Sequence, residues 1–150
     1  MMILIAYWKA CCAVALVAFM HAEIPTPDGE EDYREALASA IVTVSPLDPQ
    51  EQRQLARIAR YESSFLPRLG APRCECRPNE CDQGRAKGAW QHLSDRCPFS
   101  LDADARIALR HVRESVSRFA HLPKADRLTG YCRGRDSEEG RRLSRVRFAE

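Results

Sequence analysis

Glu62 is the residue in this chain best placed to move a proton. It stands in Arg60-Tyr61-Glu62-Ser63-Ser64-Phe65, and Leu55, Ile58 and Ala59 precede it at the i, i+3, i+4, i+7 spacing of one helix face. Three of these four positions are apolar, so the face is expected to point at a core. A carboxylate there costs free energy unless it is paired, hydrogen-bonded or protonated. The residue also falls in the last turn, ahead of Pro67 and Gly70, where the negative end of the helix dipole opposes a second negative charge. Burial and the dipole both favour the protonated carboxyl, which is the form a general acid needs. The plain alternative is a surface carboxylate at a fraying helix end, paired with Arg57 or Arg60.

Other side chains could hold a ligand around such an acid. Gln91, in Gly84-Arg85-Ala86-Lys87-Gly88-Ala89-Trp90-Gln91, carries an amide that can both donate and accept. Gly88 would let a ligand come close to the backbone, or it is an ordinary turn glycine. Trp90 offers a ring face for stacking, or it fills the core. Tyr131 could hydrogen-bond Glu62, or pack on its own helix. Ser63 and Ser64 could orient the acid, and hydroxyls are also expected just past a helix end.

In chain order, Glu62-Ser63-Ser64-Phe65, then Ala86, Gly88 and Gln91, then Tyr131 and Gly134 resemble the three motifs of lytic transglycosylases of the lysozyme superfamily: Glu-Ser-x-Phe, Ala-x-Gly-x-x-Gln and Tyr-Asn-x-Gly. Cys132 stands where the third motif has asparagine. The resemblance spans residues 48 to 135 and looks like a divergent, cysteine-rich secreted member. It implies a mostly α, lysozyme-like small helical domain, with a disulfide-stapled loop or short hairpin between the catalytic helix and the glutamine motif. It implies cleavage of the β-1,4 bond between N-acetylmuramic acid and N-acetylglucosamine in peptidoglycan. Glu62 would be the sole general acid and base, and Ser63, Ser64, Gly88, Trp90, Gln91 and Tyr131 would bind substrate. One carboxyl suffices for such an enzyme, because the sugar's own 6-hydroxyl closes a 1,6-anhydro ring. A hydrolase would need a second carboxylate about 5 to 9.5 Å away, and Asp82 is the best candidate, ahead of Glu75 and Glu80. The rival from another class is a non-catalytic secreted module that binds the wall.

Helices must position these groups. Glu30, Glu31 and Asp32 open one, with Tyr33, Leu37, Ala40, Ile41 and Val44 on its apolar face, and Ser45-Pro46 stops it. Asp48-Pro49-Gln50-Glu51 starts the next with a cap, a first-turn proline and a capping-box glutamate, and this helix runs to Glu62. Asp102 is expected to cap a third, with Ala105, Ala108, Leu109, Val112, Val116 and Phe119 facing inward. A shorter helix follows from Pro123 through Leu128, Tyr131 and Cys132 to Gly134, and Leu143 and Val146 mark a last one.

Residues 1–22 are almost entirely apolar, with Lys9 their one charge. They suit a signal peptide cleaved before Glu23, or an uncleaved membrane anchor. Cleavage is the favoured expectation. It would leave residues 23–47 as an N-terminal helix and linker and 48–150 as the catalytic domain of a secreted or periplasmic protein. The mature chain would hold 22 basic and 21 acidic groups, since Lys9 is one of the 23 basic residues, and this balance argues for no nucleic-acid partner. The expected partner is the peptidoglycan glycan strand, met by a monomer. Cys74, Cys76, Cys81, Cys97 and Cys132 would remain after cleavage, and in an exported chain such crowding reads as disulfide stapling. The first four lack the paired Cys-x-x-Cys knuckles of common zinc modules, so neither a metal nor a cofactor is expected.

Overall fold

The computed structural model describes residues 2–65, 86–93 and 100–148. Over these the chain is mostly helical. The elements are α1 (Met2–Glu23), α2 (Glu31–Val44), α3 (Pro49–Ser63), a two-stranded antiparallel hairpin of β1 (Ala86–Lys87) and β2 (His92–Leu93), α4 (Leu101–Arg118), a 3-10 turn (Lys124–Asp126), α5 (Thr129–Arg133) and α6 (Glu138–Phe148). The chain divides into two compact units, Met1–Arg106 and Ile107–Glu150. The division falls within α4.

In the first unit α1 packs on α2 and α3. Leu16, Met20, Leu37, Ile41, Leu55, Ile58, Phe65 and Trp90 are buried there. The start of α3 is built as its sequence suggests. The Asp48 carboxylate accepts from the backbone N–H groups of Gln50 and Glu51 at 2.9 and 3.0 Å, with Pro49 in the first turn. The turn before it is tied twice. The Ser45 hydroxyl donates to Glu51 at 2.6 Å, and the Gln52 amide donates to the Ser45 carbonyl at 2.7 Å. At the start of α4 the capping oxygen belongs to Ser100, which accepts from Ala103 N–H at 3.2 Å. Asp102 was expected in that role, but it lies one residue inside the helix.

In the second unit Ala108, Leu109, Val112 and Phe119 are buried as expected, and Val116 is half-buried. The helix expected from Pro123 to Cys132 is broken into the 3-10 turn and α5. Side-chain hydroxyls explain the break, because they take up backbone groups that a continuous helix would pair. Ser115 Oγ donates to the Arg127 carbonyl at 2.8 Å and accepts from Tyr131 N–H at 3.2 Å, while Ser144 Oγ accepts from Leu128 N–H at 3.3 Å. Gly134, at φ +68°, ends α5. On α6 the buried face is Gly140, Leu143, Ser144 and Phe148. Val146 is 65% exposed, because it points away from that i, i+3, i+4, i+8 row.

Asp126 is buried, and both its carboxylate oxygens are held by the Arg145 guanidinium, Oδ2 by Nη2 at 2.7 Å. The hydrogen bond from Arg145 holds the Asp126 pKa below the usual carboxylate range, against the opposing effect of burial. A folded-state pKa that is depressed adds stability above the unfolded value, and this is lost as pH falls through the folded value. Asp126→Asn is therefore expected to melt below the parent at neutral pH, and the gap should close as pH drops below about 4. Melts taken across that range check it; a gap independent of pH would contradict the assignment.

Candidate active site

The Glu-Ser-Ser-Phe motif is the C-terminal end of α3. Glu62 is half-buried in the last turn. The helix closes with Ser64 N–H donating to the Arg60 carbonyl at 2.8 Å. Ser64 and Phe65 then follow at φ +51° and +58°. Two successive non-glycine residues in the left-handed region cost about 1–2 kcal/mol each. The side chain of Phe65 offsets that cost: it is fully buried, with the Arg34 guanidinium 4.2 Å from its ring centre. The position of Glu62 is thus fixed by how the chain leaves the helix.

The neighbouring serines differ. Ser63 is buried and its hydroxyl donates to the Ala59 carbonyl at 2.9 Å, so it is engaged inside the helix. Ser64 is exposed. The cations beside the motif reach toward α1: Arg60 pairs with Glu23, and Arg57 Nε lies 3.9 Å from the same carboxylate.

Arg34 is itself buried, one turn before Leu37 and Ala38 on the inward face of α2. Its Nη1 points at the Met20 and Ile24 carbonyls, 3.4 and 3.5 Å away at the end of α1. Burial lowers its pKa, and the charge of Glu30 opposes that. The negative end of the α1 dipole provides further compensation.

The second motif forms the turn of the hairpin, whose register pairs Ala86 with Leu93 and Lys87 with His92. Gln91 N–H donates to the Gly88 carbonyl at 3.2 Å, and the Gln91 side-chain amide donates to the same oxygen at 2.7 Å. Gln91 is half-buried with φ +50°. Trp90 is 1% exposed, and its indole N–H donates to the Leu55 carbonyl of α3 at 2.8 Å. It is a core residue, with no ring face turned to solvent. Gly88 sits at φ +78°, and a Cβ there would lie 2.3 Å from the Asp104 carboxylate. That fully buried carboxylate accepts from Ala89 N–H at 2.6 Å. Gly88 is therefore required by packing against Asp104, whatever approaches from outside. The Tyr33 hydroxyl is buried without a hydrogen-bond partner, and its pKa is raised, first by burial and then by the charge of Asp104.

Both motifs are hung on one helix. Leu55, which takes the Trp90 indole, precedes Glu62 by two turns on the same face, about 10 Å along the axis. Tyr131 belongs to the second unit, half-buried, with its ring edge-on to Phe148 at 6.3 Å. Asp82, Glu75 and Glu80, and the cysteines at 74, 76, 81 and 97, lie outside the described residues. Among the described residues no three His, Cys, Asp or Glu side chains gather as a metal site.

The sequence reading missed Asp104 and Arg34, the two buried charges that seat the motifs. Each binds across a long sequence separation, so neither leaves a local signal. Chemically, the first unit presents one half-buried carboxyl at a rigid helix end and a glutamine-bearing turn pinned to the same helix. No protein-family model, curated protein or solved structure matches this chain.

Proposed function

We propose that the chain cleaves peptidoglycan strands as a lytic transglycosylase, on a domain of lysozyme-like type. The observation that carries this reading is Glu62 at a helix end held by Phe65, with the Gly88–Gln91 turn anchored on the same helix face. The three motifs in chain order support it. In this reading the Glu62 carboxyl donates its proton to the glycosidic oxygen between N-acetylmuramic acid and N-acetylglucosamine. The C1–O bond breaks, and N-acetylglucosamine leaves with its 4-hydroxyl restored. The Glu62 carboxylate then takes the proton of the muramic 6-hydroxyl as that oxygen bonds to C1. The acid is regenerated, and the products are an anhydro-muramic end and a free sugar end, with no water consumed. Gln91 and Ser64 would contact sugar, and Trp90 and Gly88 would hold the turn that presents Gln91. The substrate lies outside the cytoplasmic membrane, which agrees with the apolar N-terminal helix.

Digestion of purified wall material by the full chain, read by mass spectrometry, tests the reading. Anhydro-muramic ends are expected. Fragments that have each gained a water would mean hydrolysis, with Asp82 the first candidate for the second carboxylate. No release of fragments would favour the wall-binding module.

A further inference from the structure

The N-terminal helix α1 packs on α2 and α3. Its last turns are part of the packed interior: Leu16 is 3% exposed and Met20 0%. Glu23, just past the expected cleavage site, pairs with Arg60 and approaches Arg57. The Trp8 indole donates to the Pro46 carbonyl at 2.9 Å, and Arg57 lies over the Phe19 ring at 5.5 Å. Cleavage after Ala22 would strip Leu16 and Met20 from the core and take one of the two carbonyls that buried Arg34 faces.

The opposite side of the same helix is exposed among the described residues. Lys9, the one charged residue before Glu23, falls on the protein side with Cys12, Leu16 and Met20, at helical spacing. The outward arc spans about 160° at 100° per residue, and from Leu4 to Ala18 it holds no charged side chain. Leu4, Tyr7 and Val14 on it are 73%, 71% and 71% exposed. A helix on the surface of a water-soluble domain turns a polar face outward. The window Leu4–Glu23 has a mean hydropathy of 1.7 and is 11% buried, so its composition is that of a lipid-contacting segment. The apolar surface also runs into a groove between α1 and α3 of about 420 Å³, lined by Trp8, Cys11, Cys12, Leu16 and Phe19, with Arg53 at one side.

We propose that α1 is retained in the working protein and lies against a lipid bilayer through the Leu4–Tyr7–Val14 arc, with α2 and α3 packed on its other side. The arc is too wide for the narrow seam of a two-helix coiled coil, which favours lipid over a second copy of the chain. The helix is a monotopic anchor: its apolar face enters the headgroup and acyl boundary, and Tyr7 and Trp8 supply the aromatic side chains that settle at that depth. This differs from the cleavage expected of residues 1–22, and it holds whether or not Glu62 cleaves glycan.

The test is flotation of the full chain on vesicles of phosphatidylethanolamine and phosphatidylglycerol, with the intact mass of the chain recovered from expressing cells. The parent is expected to float and to retain residues 1–22. Val14→Glu, and separately Tyr7→Glu, should lower partitioning at least about tenfold with the helical circular dichroism unchanged. Two substitutions at exposed positions guard against one that fails to fold. A parent that stays at the bottom of the gradient as a monomer overturns the proposal. One that stays there as a stable dimer by sedimentation overturns it in favour of a second copy on this face. A recovered chain beginning at Glu23 overturns it as well.

Discussion

Glu62→Gln is expected to reduce the release of wall fragments by roughly 10²–10⁴-fold, the usual worth of a positioned general acid. Glutamine has nearly the same shape and suits a half-buried helix position, but it has no acidic proton for the leaving oxygen. The fold should survive. The helix end is held by the burial of Phe65 and by the Ser64 N–H bond to Arg60, and neither involves the Glu62 carboxyl. An unchanged helical circular dichroism spectrum of the variant would therefore accompany the loss of activity. In the proposed reading Asp82→Asn, Glu75→Gln and Glu80→Gln leave fragment release near the parental rate, because ring closure by the 6-hydroxyl would need no second base. A Glu62→Gln chain that works at the parental rate places the acid elsewhere. A collapse at Asp82 with water-added products makes the protein a hydrolase.

The largest structural effect is expected at Trp90. Trp90→Ala should destabilise the chain by about 3–5 kcal/mol, the range for removing a buried aromatic side chain. The ring fills the space between the hairpin and α3, and its N–H is matched to the Leu55 carbonyl. Trp90→Phe separates the two contributions. It keeps much of the apolar volume and loses the indole donor, so a smaller cost of about 1–3 kcal/mol is expected. Denaturant unfolding of both variants measures this. If alanine costs under about 1 kcal/mol, the ring is not part of the core, and a surface role for Trp90 returns.

What could be read from the sequence was whatever is decided locally. The cap at Asp48, the proline at the start of α3 and the apolar row Leu37, Ala40, Ile41 follow from contacts within one turn or one helix face. The half-burial of Glu62 followed from the same periodicity. Arg34 did not: it shares a row with Leu37 and Ile41, but an arginine is seldom buried without partners, and the local sequence supplies none. Its burial depends on the end of α1 and the ring of Phe65, 31 residues further on. Asp104 lies in the first turn of α4, where the helix dipole alone would account for an acid, yet its carboxylate serves Ala89, 15 residues earlier. Gly88 read as a place for a sugar to approach, and Asp104 occupies the space beside it. The break before α5 was hidden because the hydroxyls that cause it, on Ser115 and Ser144, sit on other helices.

The seating of Arg34 has a consequence for cooperativity. One guanidinium faces the last carbonyls of α1 and the ring of Phe65 at the same time. If the end of α1 frays, the buried charge loses its acceptors, and the guanidinium must follow water outward. The ring it covers then loses the contact that holds two left-handed residues in place. Opening of the first helix and unwinding of the turn after Glu62 are therefore one event rather than two. The geometry around Glu62 inherits the opening free energy of the three-helix cluster instead of the low value usual for a helix end.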